Sequence, residues 1–486
     1  MDMAVENRIH VTSETGKLRR VLVHSPDSGL GKVVPSKAQD WLFEDIVHLD
    51  TIRRNEYDYY IKLLLYFLDE EKIKGRLAEI DDPASNRGFY KPGHGDFYRS
   101  DKVVELQVLL TEILENPSIK SQLVASVCAI EACSYDIQQK MMGYAPATLA
   151  RVFFSGTYNE TEFIFPPIPN FIFTRDIGIV VNDYILLNKP KKEARKREAL
   201  IAKYIFHHHP IFSGYKDRII ELTDTQHHFL LPKDSATEKV TLEGGDVMVV
   251  SKEHVLIGVS ERTSRVAAAQ AITKLFEHGV VSKATIVKIP SKRDYMHIDT
   301  VFTQVKKNVW VMLGDFSRER LKGLQVDEVH RALRIQTHKA DRLEIIQFEK
   351  NNIANPRRFE SLEDLLVDIS VSDLGCSAAD VRIILSGNNE FPYDAREQWT
   401  DSCNLLAIQD GVVLGYDRND RTTAAFREAG FDVVDVNTLL ADLEAGRLSA
   451  DRLVDTLVLM PSAELSRARG GFHCMSMPLL RDDKFG

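Results

Sequence analysis

The chain of 486 residues has only five cysteines, Cys128, Cys133, Cys376, Cys403 and Cys474, scattered over its length. They make no C-x-x-C pair and no disulfide framework, which excludes a small stapled fold and favours a reducing cytoplasm. Long apolar runs are missing too. The densest, Ile61 to Leu68, is interrupted by Lys62 and is too short to cross a bilayer. Residues Met1 to His10 carry two acids and no apolar stretch, so no secretory signal is read there. Positive charge is in deficit: 62 Lys and Arg face 71 Asp and Glu, for a net charge of −9 with no basic tail. That argues against nucleic acid as the main partner, because phosphate binding needs clustered cations. What remains, 44% apolar and 27% charged, is the composition of a soluble globular protein, long enough for more than one domain. In such a chain one cysteine with a histidine elsewhere becomes a candidate nucleophile.

One pattern recurs: two β-rich runs about a short polar turn, then a stretch of helical composition. Ile177 to Leu187 followed by Lys192 to Phe206 is the first copy, and Val247 to Val259 with Ser264 to Phe276 the second. Val301 to Leu313, with a less clear helix, is the third, and Asn404 to Tyr416 with Thr422 to Ala429 the fourth. Such runs read as hairpins, and the helices would cover their sheets. Lys17 to His24 offers a further, weaker strand. Between about Asn55 and Leu149 apolar residues recur instead at helical spacing, and Asp81 to Gly95 reads as a long loop. The irregular interval between copies excludes a solenoid. The expectation is an α/β fold of hairpin-plus-helix modules around a centre, with a helical subdomain inserted.

Polar residues stand just before each hairpin: Phe173-Thr-Arg-Asp176, Glu243-Gly-Gly-Asp246, His297-Ile-Asp299 and Thr400-Asp-Ser-Cys403. Around a common axis they converge on one mouth. Clustered carboxylates raise each other's pKa unless a cation lies between them. Zinc would want two or three His or Cys ligands, and only His297 is well placed; His207-His208-His209 reads as a surface feature. A guanidinium, planar and permanently charged, suits paired carboxylates better. Gly244-Gly245 would let backbone approach such a ligand, although the same four residues also read as an ordinary turn. Near the C-terminus, Arg467-Ala-Arg469-Gly470-Gly471-Phe-His-Cys474 sets a thiol in an approachable loop, with arginines that would favour its thiolate. Cys128 and Cys133 read as inert core residues. Cys403, at a hairpin entrance, is harder to set aside.

Taken together these residues resemble the arginine deiminases, within the guanidino-group modifying superfamily. The likeness runs over nearly the whole chain, from Ser13-Glu-Thr-Gly-Lys through Leu42-Phe-Glu-Asp-Ile, Pro169 to Asp176, Arg195-Lys-Arg-Glu and Ser260-Glu-Arg-Thr. It continues through Tyr295-Met-His-Ile-Asp, Glu397-Gln-Trp-Thr-Asp-Ser-Cys and Arg467 to Pro478. The resemblance implies a pseudo-fivefold α/β-propeller forming one catalytic domain over 1–486, with a mainly helical insertion at 70–150.

It also implies roles. Cys474 matches the nucleophile, His297 the general acid and base, Asp176 and Asp299 the carboxylates that grip the guanidinium, and Glu243 a third acid beside the histidine. Arg195 and Arg262 match the pair that binds the substrate α-carboxylate, with Asn170, Phe173 and Gly470 lining the pocket. Asp246 matches an acid at the substrate's amino end, and Arg469 a mobile arginine beside the nucleophile. The implied reaction turns L-arginine into L-citrulline and ammonium, with no metal and no organic cofactor, in a cytoplasmic homo-oligomer. The alternatives are an amidinotransferase using the same cysteine or another guanidine hydrolase of the same superfamily, and a catalytically silent arginine-binding regulatory protein. Two features depart from the family pattern: extra length around the helical insertion, and Ser402-Cys403 where small residues such as Gly are usual.

Overall fold

The computed structural model describes residues 8–43, 45–82, 84, 88–159, 161–223, 239–292, 294–318 and 343–483. Strand β1 (Leu18–Val23) runs parallel to β2 (Val103–Glu105). Between them lie α1 (Leu49–Asn55) and α2 (Tyr57–Leu68); all of α2 is buried except Tyr59, which is partly covered. The run that the sequence offers as its densest apolar stretch is therefore a core helix.

The first expected hairpin forms as β3 (Gly178–Val181) and β4 (Tyr184–Leu187), with β5 (Ile219–Ile220) added parallel to β4. Next come β6 (Val247–Ser251), β7 (His254–Val259) and the parallel β8 (Lys283–Lys288). The third set is β9 (Phe302–Lys306) and β10 (Val309–Met312); β11 (Glu344–Glu349) and β12 (Arg357–Phe359) extend the preceding sheet, and β13 (Arg382–Leu385) joins β10 in parallel. The fourth is β14 (Leu406–Gln409) and β15 (Val412–Tyr416), with β16 (Asp432–Asp435) and β17 (Thr456–Met460) following in parallel. Finally β18 (Met477–Arg481) returns antiparallel to β1. Among the described residues the same unit, an antiparallel pair plus a parallel third strand, thus occurs in five separate sheets, one of them pairing β1 with the C-terminal β18.

Helices cover these sheets as their periodicity dictates. Arg265–Glu277 is capped by Ser264, whose Oγ accepts the Ala267 N–H at 3.1 Å, and it buries Ala267, Ala268, Ala271, Leu275 and Phe276 on one stripe. The helix after the first hairpin begins at Lys196 rather than Lys192, because residues 193–195 form a 3-10 turn that aims Arg195 inward. The stretch after the third hairpin, 319–342, lies outside the described residues, as do 83 and 85–87 of the long loop, 1–7, and Glu44 of the Leu42 motif. Within 70–150, β2 belongs to the β1 sheet; turns, loop and the short helix Leu77–Ile80 precede it, and helices Leu106–Ile113, Pro117–Ile130, Tyr135–Met142 and Pro146–Ser155 follow it. No described helix is long and apolar enough to cross a membrane.

Candidate active site

Short 3-10 turns immediately before β3, β6 and β9 carry Asp176, Asp246 and Asp299, and Glu243 and His297 cap the second and third of these turns. A turn at each strand entrance points its polar side chains off the sheet's end, where the fifth unit presents Cys474 just before β18. Asp176, Glu243, His297, Cys474, Arg195, Arg262, Asn170, Phe173 and Arg469 all line one cavity, together with Leu42, Met296 and Ala468. Its free space is about 20 Å³, enough for a water but not for an amino acid. Two of its non-glycine residues, Leu42 (φ 59°) and Arg469 (φ 60°), are left-handed, a strained conformation that clusters at functional sites. Gly245 is required here, since a Cβ would stand 2.7 Å from His297 Nδ1. At Gly470 it would meet the Phe173 ring at 2.3 Å.

The cavity holds a guanidinium of its own. Nη1 of Arg195 donates to Asp176 Oδ2 and Glu243 Oε2, both at 2.8 Å, and its Nε donates to Glu198 Oε2 at 2.8 Å. Burial alone would lower the pKa of Arg195, but these three carboxylates hold it firmly charged. His297 Nε2 lies 3.0 Å from Glu243 Oε2, and its Nδ1 is 3.8 Å from Asp176 Oδ1. Burial opposes the imidazolium, yet Asp176 and the bond to Glu243 outweigh it and push the pKa up to about 10. Glu243 sits well below the usual carboxylate range: burial opposes its charge, but Arg195 and His297 prevail. The ligand atoms of Asp176, Glu243 and His297 lie within 4.8 Å of one another, a spacing that a cation can bridge.

Cys474 sits on a built loop. Asn404 Oδ1 accepts the backbone N–H groups of Gly471 and Cys474, each at 3.0 Å, and Cys474 Sγ lies 3.6 Å from Asp299 Oδ2. The expected thiolate is not what the closed site favours. Burial, then the negative charges of Asp299, Asp176 and Asp401, push the thiol well above its ordinary pKa. Arg467 does not offset this, because it pairs at the surface with Asp45 and Glu464. Arg469 stacks on Trp399, 3.7 Å from the ring centroid.

Three expected residues stand outside the cavity wall. Asp299 lies behind Cys474, where its Oδ2 takes a bond from His473 Nδ1 at 2.9 Å; its buried Oδ1 has no hydrogen-bond partner among the described residues. Asp246 accepts from the Ile298 N–H at 3.0 Å and the Ser260 hydroxyl at 2.6 Å, and burial pushes its pKa up to about 6. Its Oδ1 thus holds the turn that follows His297, and its Oδ2 holds Ser260 after β7. Gly470 accepts the Tyr416 hydroxyl at 2.7 Å. Arg262 reaches the wall with Nη1 3.8 Å from Glu243 Oε1 and Nε 2.6 Å from Glu261. Cys403 is fully buried, and burial raises its pKa far above the ordinary value. His207 and His209 bond separately to Glu221 and Glu112.

Sequence reasoning did not single out Glu14, Glu198 or Asn404. Glu14 Oε2 is 3.1 Å from His473 Nε2, which completes a buried line Glu14–His473–Asp299 that ends at the thiol. Burial opposes the charge of Glu14, but Arg175 and His473 lower its pKa to about 2. Burial pushes Glu198 the other way, up to about 7 despite Arg195.

A family model described as arginine deiminase matches residues 146–481, well over half of the chain. The chain belongs to the arginine deiminase family. Members of the family are hydrolases acting on carbon–nitrogen bonds. The arginine deiminase of Borrelia duttonii (strain Ly) is 28% identical over 487 residues, covering 98% of each chain. That of Clostridium perfringens (strain SM101 / Type A) is 29% identical over 492 residues, covering 99% of this chain and 100% of the relative. Among solved structures, SxtG, an amidinotransferase from Microseira wollei in the saxitoxin biosynthetic pathway, aligns over 98% of both chains at 11% identity, with a TM-score of 0.48. DDAH from Pseudomonas aeruginosa complexed with citrulline aligns over 64% of this chain and 76% of its own, at 15% identity and a TM-score of 0.33.

Proposed function

We propose that this protein hydrolyses L-arginine to L-citrulline and ammonium, with Cys474 as nucleophile. The observation that carries the reading is the guanidinium of Arg195, held by Asp176 and Glu243 beside His297 and Cys474. That guanidinium is a stand-in for the substrate's.

Arginine needs far more than the free space of about 20 Å³, so the site must open and Arg195 must yield its place. Released, Arg195 joins Arg262 to receive the substrate α-carboxylate, along a wall formed by Asn170 and Phe173. The substrate guanidinium replaces it on Asp176, and the free Oδ1 of Asp299 takes a second edge. Gly470 and Arg469 close over the chain, and Asp246 acts through the turn that holds His297.

A cation beside Sγ now offsets the carboxylates that keep the thiol protonated, so the thiol releases its proton to solvent and the thiolate attacks the central carbon. The imidazolium of His297 protonates the departing nitrogen, which leaves as ammonia, and the amidine carbon remains bound to sulfur. Neutral His297 then takes a proton from water as its oxygen attacks that carbon. The C–S bond breaks as the new hydroxyl becomes the urea carbonyl and gives its remaining proton to solvent, citrulline departs and the thiolate returns. Ammonia picks up a solvent proton to become ammonium, and Glu243 holds the imidazole ring in place throughout.

The wider reading includes a pseudo-fivefold arrangement of the five units about the site, an inserted helical subdomain at 70–150, and a cytoplasmic homo-oligomer. The deciding experiment incubates the purified protein with arginine and measures products. Citrulline and ammonium are expected in equal amounts, with no guanidino product when glycine or ornithine is added. A Cys474→Ser variant that retained full activity would remove the nucleophile from the reading.

A further inference from the structure

A second cavity, of about 230 Å³, opens where the loop after β1 meets α1, α2 and the turn Gly88–Tyr90. It takes no part in the chemistry above and has room for about eight water-sized groups. Four cations stand on its wall, Arg53, Arg54, Lys91 and Arg151, against two carboxylates, Asp27 and Asp50. Asp27 is already engaged: its Oδ2 lies 3.2 Å from Nε2 of buried His24, and its other oxygen accepts the Gly29 N–H. Behind the wall His24 also bonds Glu105 at 3.0 Å, so those two charges offset each other. The wall thus presents four cations and two carboxylates in a chain of net charge −9, and Arg53 also donates its Nε to the Pro26 carbonyl at 2.7 Å. Tyr57 and Tyr90, both buried, add aromatic surface between the cations.

The same wall is joined mechanically to the nucleophile loop. Glu56, between α1 and α2, accepts the backbone N–H groups of Glu464 at 2.8 Å and Leu465 at 2.5 Å, at the head of the turn that ends in Arg469. The Tyr57 ring lies 5.6 Å from that of Tyr60, which packs 5.2 Å from Phe472 and sets its hydroxyl 3.5 Å from the Met475 carbonyl. The α1–α2 junction thus touches the chain on both sides of Cys474.

We propose that this cavity binds a small phosphorylated anion, its phosphate on Arg53, Arg54 and Lys91 and its body on Tyr57 and Tyr90, and that occupancy is felt at the Cys474 loop. Arginine forks suit phosphate oxygens, and a ligand that draws α1 inward moves a junction packed against that loop.

The test is calorimetric titration of the full-length protein with inorganic pyrophosphate and, separately, adenosine monophosphate, at an ionic strength fixed with sodium chloride. At least one probe is expected to bind with a submillimolar Kd. Binding of pyrophosphate as tight as that of the nucleotide identifies a free phosphate as sufficient; binding of the nucleotide alone identifies an organic ester. Arg54→Glu and Lys91→Glu, both at exposed positions away from the Cys474 cavity, should each weaken binding about tenfold or more. Bound probe should also change the rate of Cys474 alkylation by iodoacetamide, read by mass spectrometry, at least about twofold. No binding by either probe, or unchanged binding by both variants, overturns the site. Binding that leaves alkylation unchanged overturns the link to the loop. None of these readouts depends on arginine turnover, so they fail or succeed separately from the proposed reaction.

Discussion

The cavity at Cys474 and the cavity at α1 differ in how their charges are satisfied. In the first, three carboxylates surround one guanidinium at hydrogen-bonding distance, and the free space is about 20 Å³. In the second, cations outnumber carboxylates around about 230 Å³. A small buried site can hold this much charge only if every group finds a partner, because an unpaired buried charge costs several kcal/mol. In the Cys474 cavity that partner is a side chain of the protein itself, Arg195.

The sharpest way to break this contrast is to neutralise one carboxylate in each place. Asp176→Asn removes a partner of Arg195 and the largest favourable charge on His297, and should lower kcat for citrulline formation about a thousandfold. Asp50→Asn in the other cavity should leave the rate within about twofold. If the two variants lost activity equally, the distinction between reacting and peripheral cavities would collapse. Next in size is Arg195→Ala, which strands Asp176, Glu243 and Glu198 and should cost on the order of 3 kcal/mol of stability. Guanidinium chloride at a few millimolar should raise the Tm of this variant relative to sodium chloride, because the vacated carboxylates accept the free ion. Equal Tm in the two salts would end the stand-in argument.

The hairpins were legible because period-2 apolar runs about polar turns have few other readings, and Val247–Ser251 with His254–Val259 shows it. The strand-entrance acids were legible because the residue before each hairpin has the same place in its unit. Arg195 was not. Its bonds to Asp176 and Glu243 cross 19 and 48 residues, and a motif match cannot tell a resting contact from a liganded one. The protonated thiol was missed for a related reason: Arg467 and Arg469 are neighbours in sequence, whereas Asp299 and Asp176 are neighbours only in space. Glu14 lay inside a quoted motif and Asn404 at the start of the fourth hairpin, but their work is to hold an imidazole and backbone, for which sequence offers little signal.

A smaller effect separates the two regions by pH. The pKa of His24 is pushed up to about 9: burial opposes its charge, but Asp27 and Glu105 outweigh that. Because the folded value exceeds the unfolded value of about 6.5, the stabilisation is complete below pH 6.5 and is lost as pH rises through about 9. Its size is on the order of 2–3 kcal/mol. Urea unfolding at pH 6 and pH 9 should show that loss, and His24→Gln should flatten the difference. His297 follows the same sign but persists to about pH 10, so alkaline unfolding should begin at the α1 side and reach the reacting site later. Hydrogen exchange that opened both regions together would contradict this order.

The smallest effect concerns Trp399, which is 44% exposed yet covers the guanidinium of Arg469 at 3.7 Å. A cation over an indole face at such a site contributes about 0.5–1 kcal/mol. Among the described residues Arg469 has few other restraints: its Nη2 lies 3.5 Å from the Asp294 carbonyl, and its Nε and Nη1 are buried without hydrogen bonds. If the indole sets where Arg469 rests as the site closes, Trp399→Leu should lower kcat/KM for arginine by about two- to fivefold. Trp399→Phe, which keeps a ring, should recover part of that loss. A purely structural role for the indole would instead lower stability in both variants without moving KM. The partial rescue by phenylalanine is therefore the informative measurement, because it separates a platform for Arg469 from an ordinary exposed aromatic.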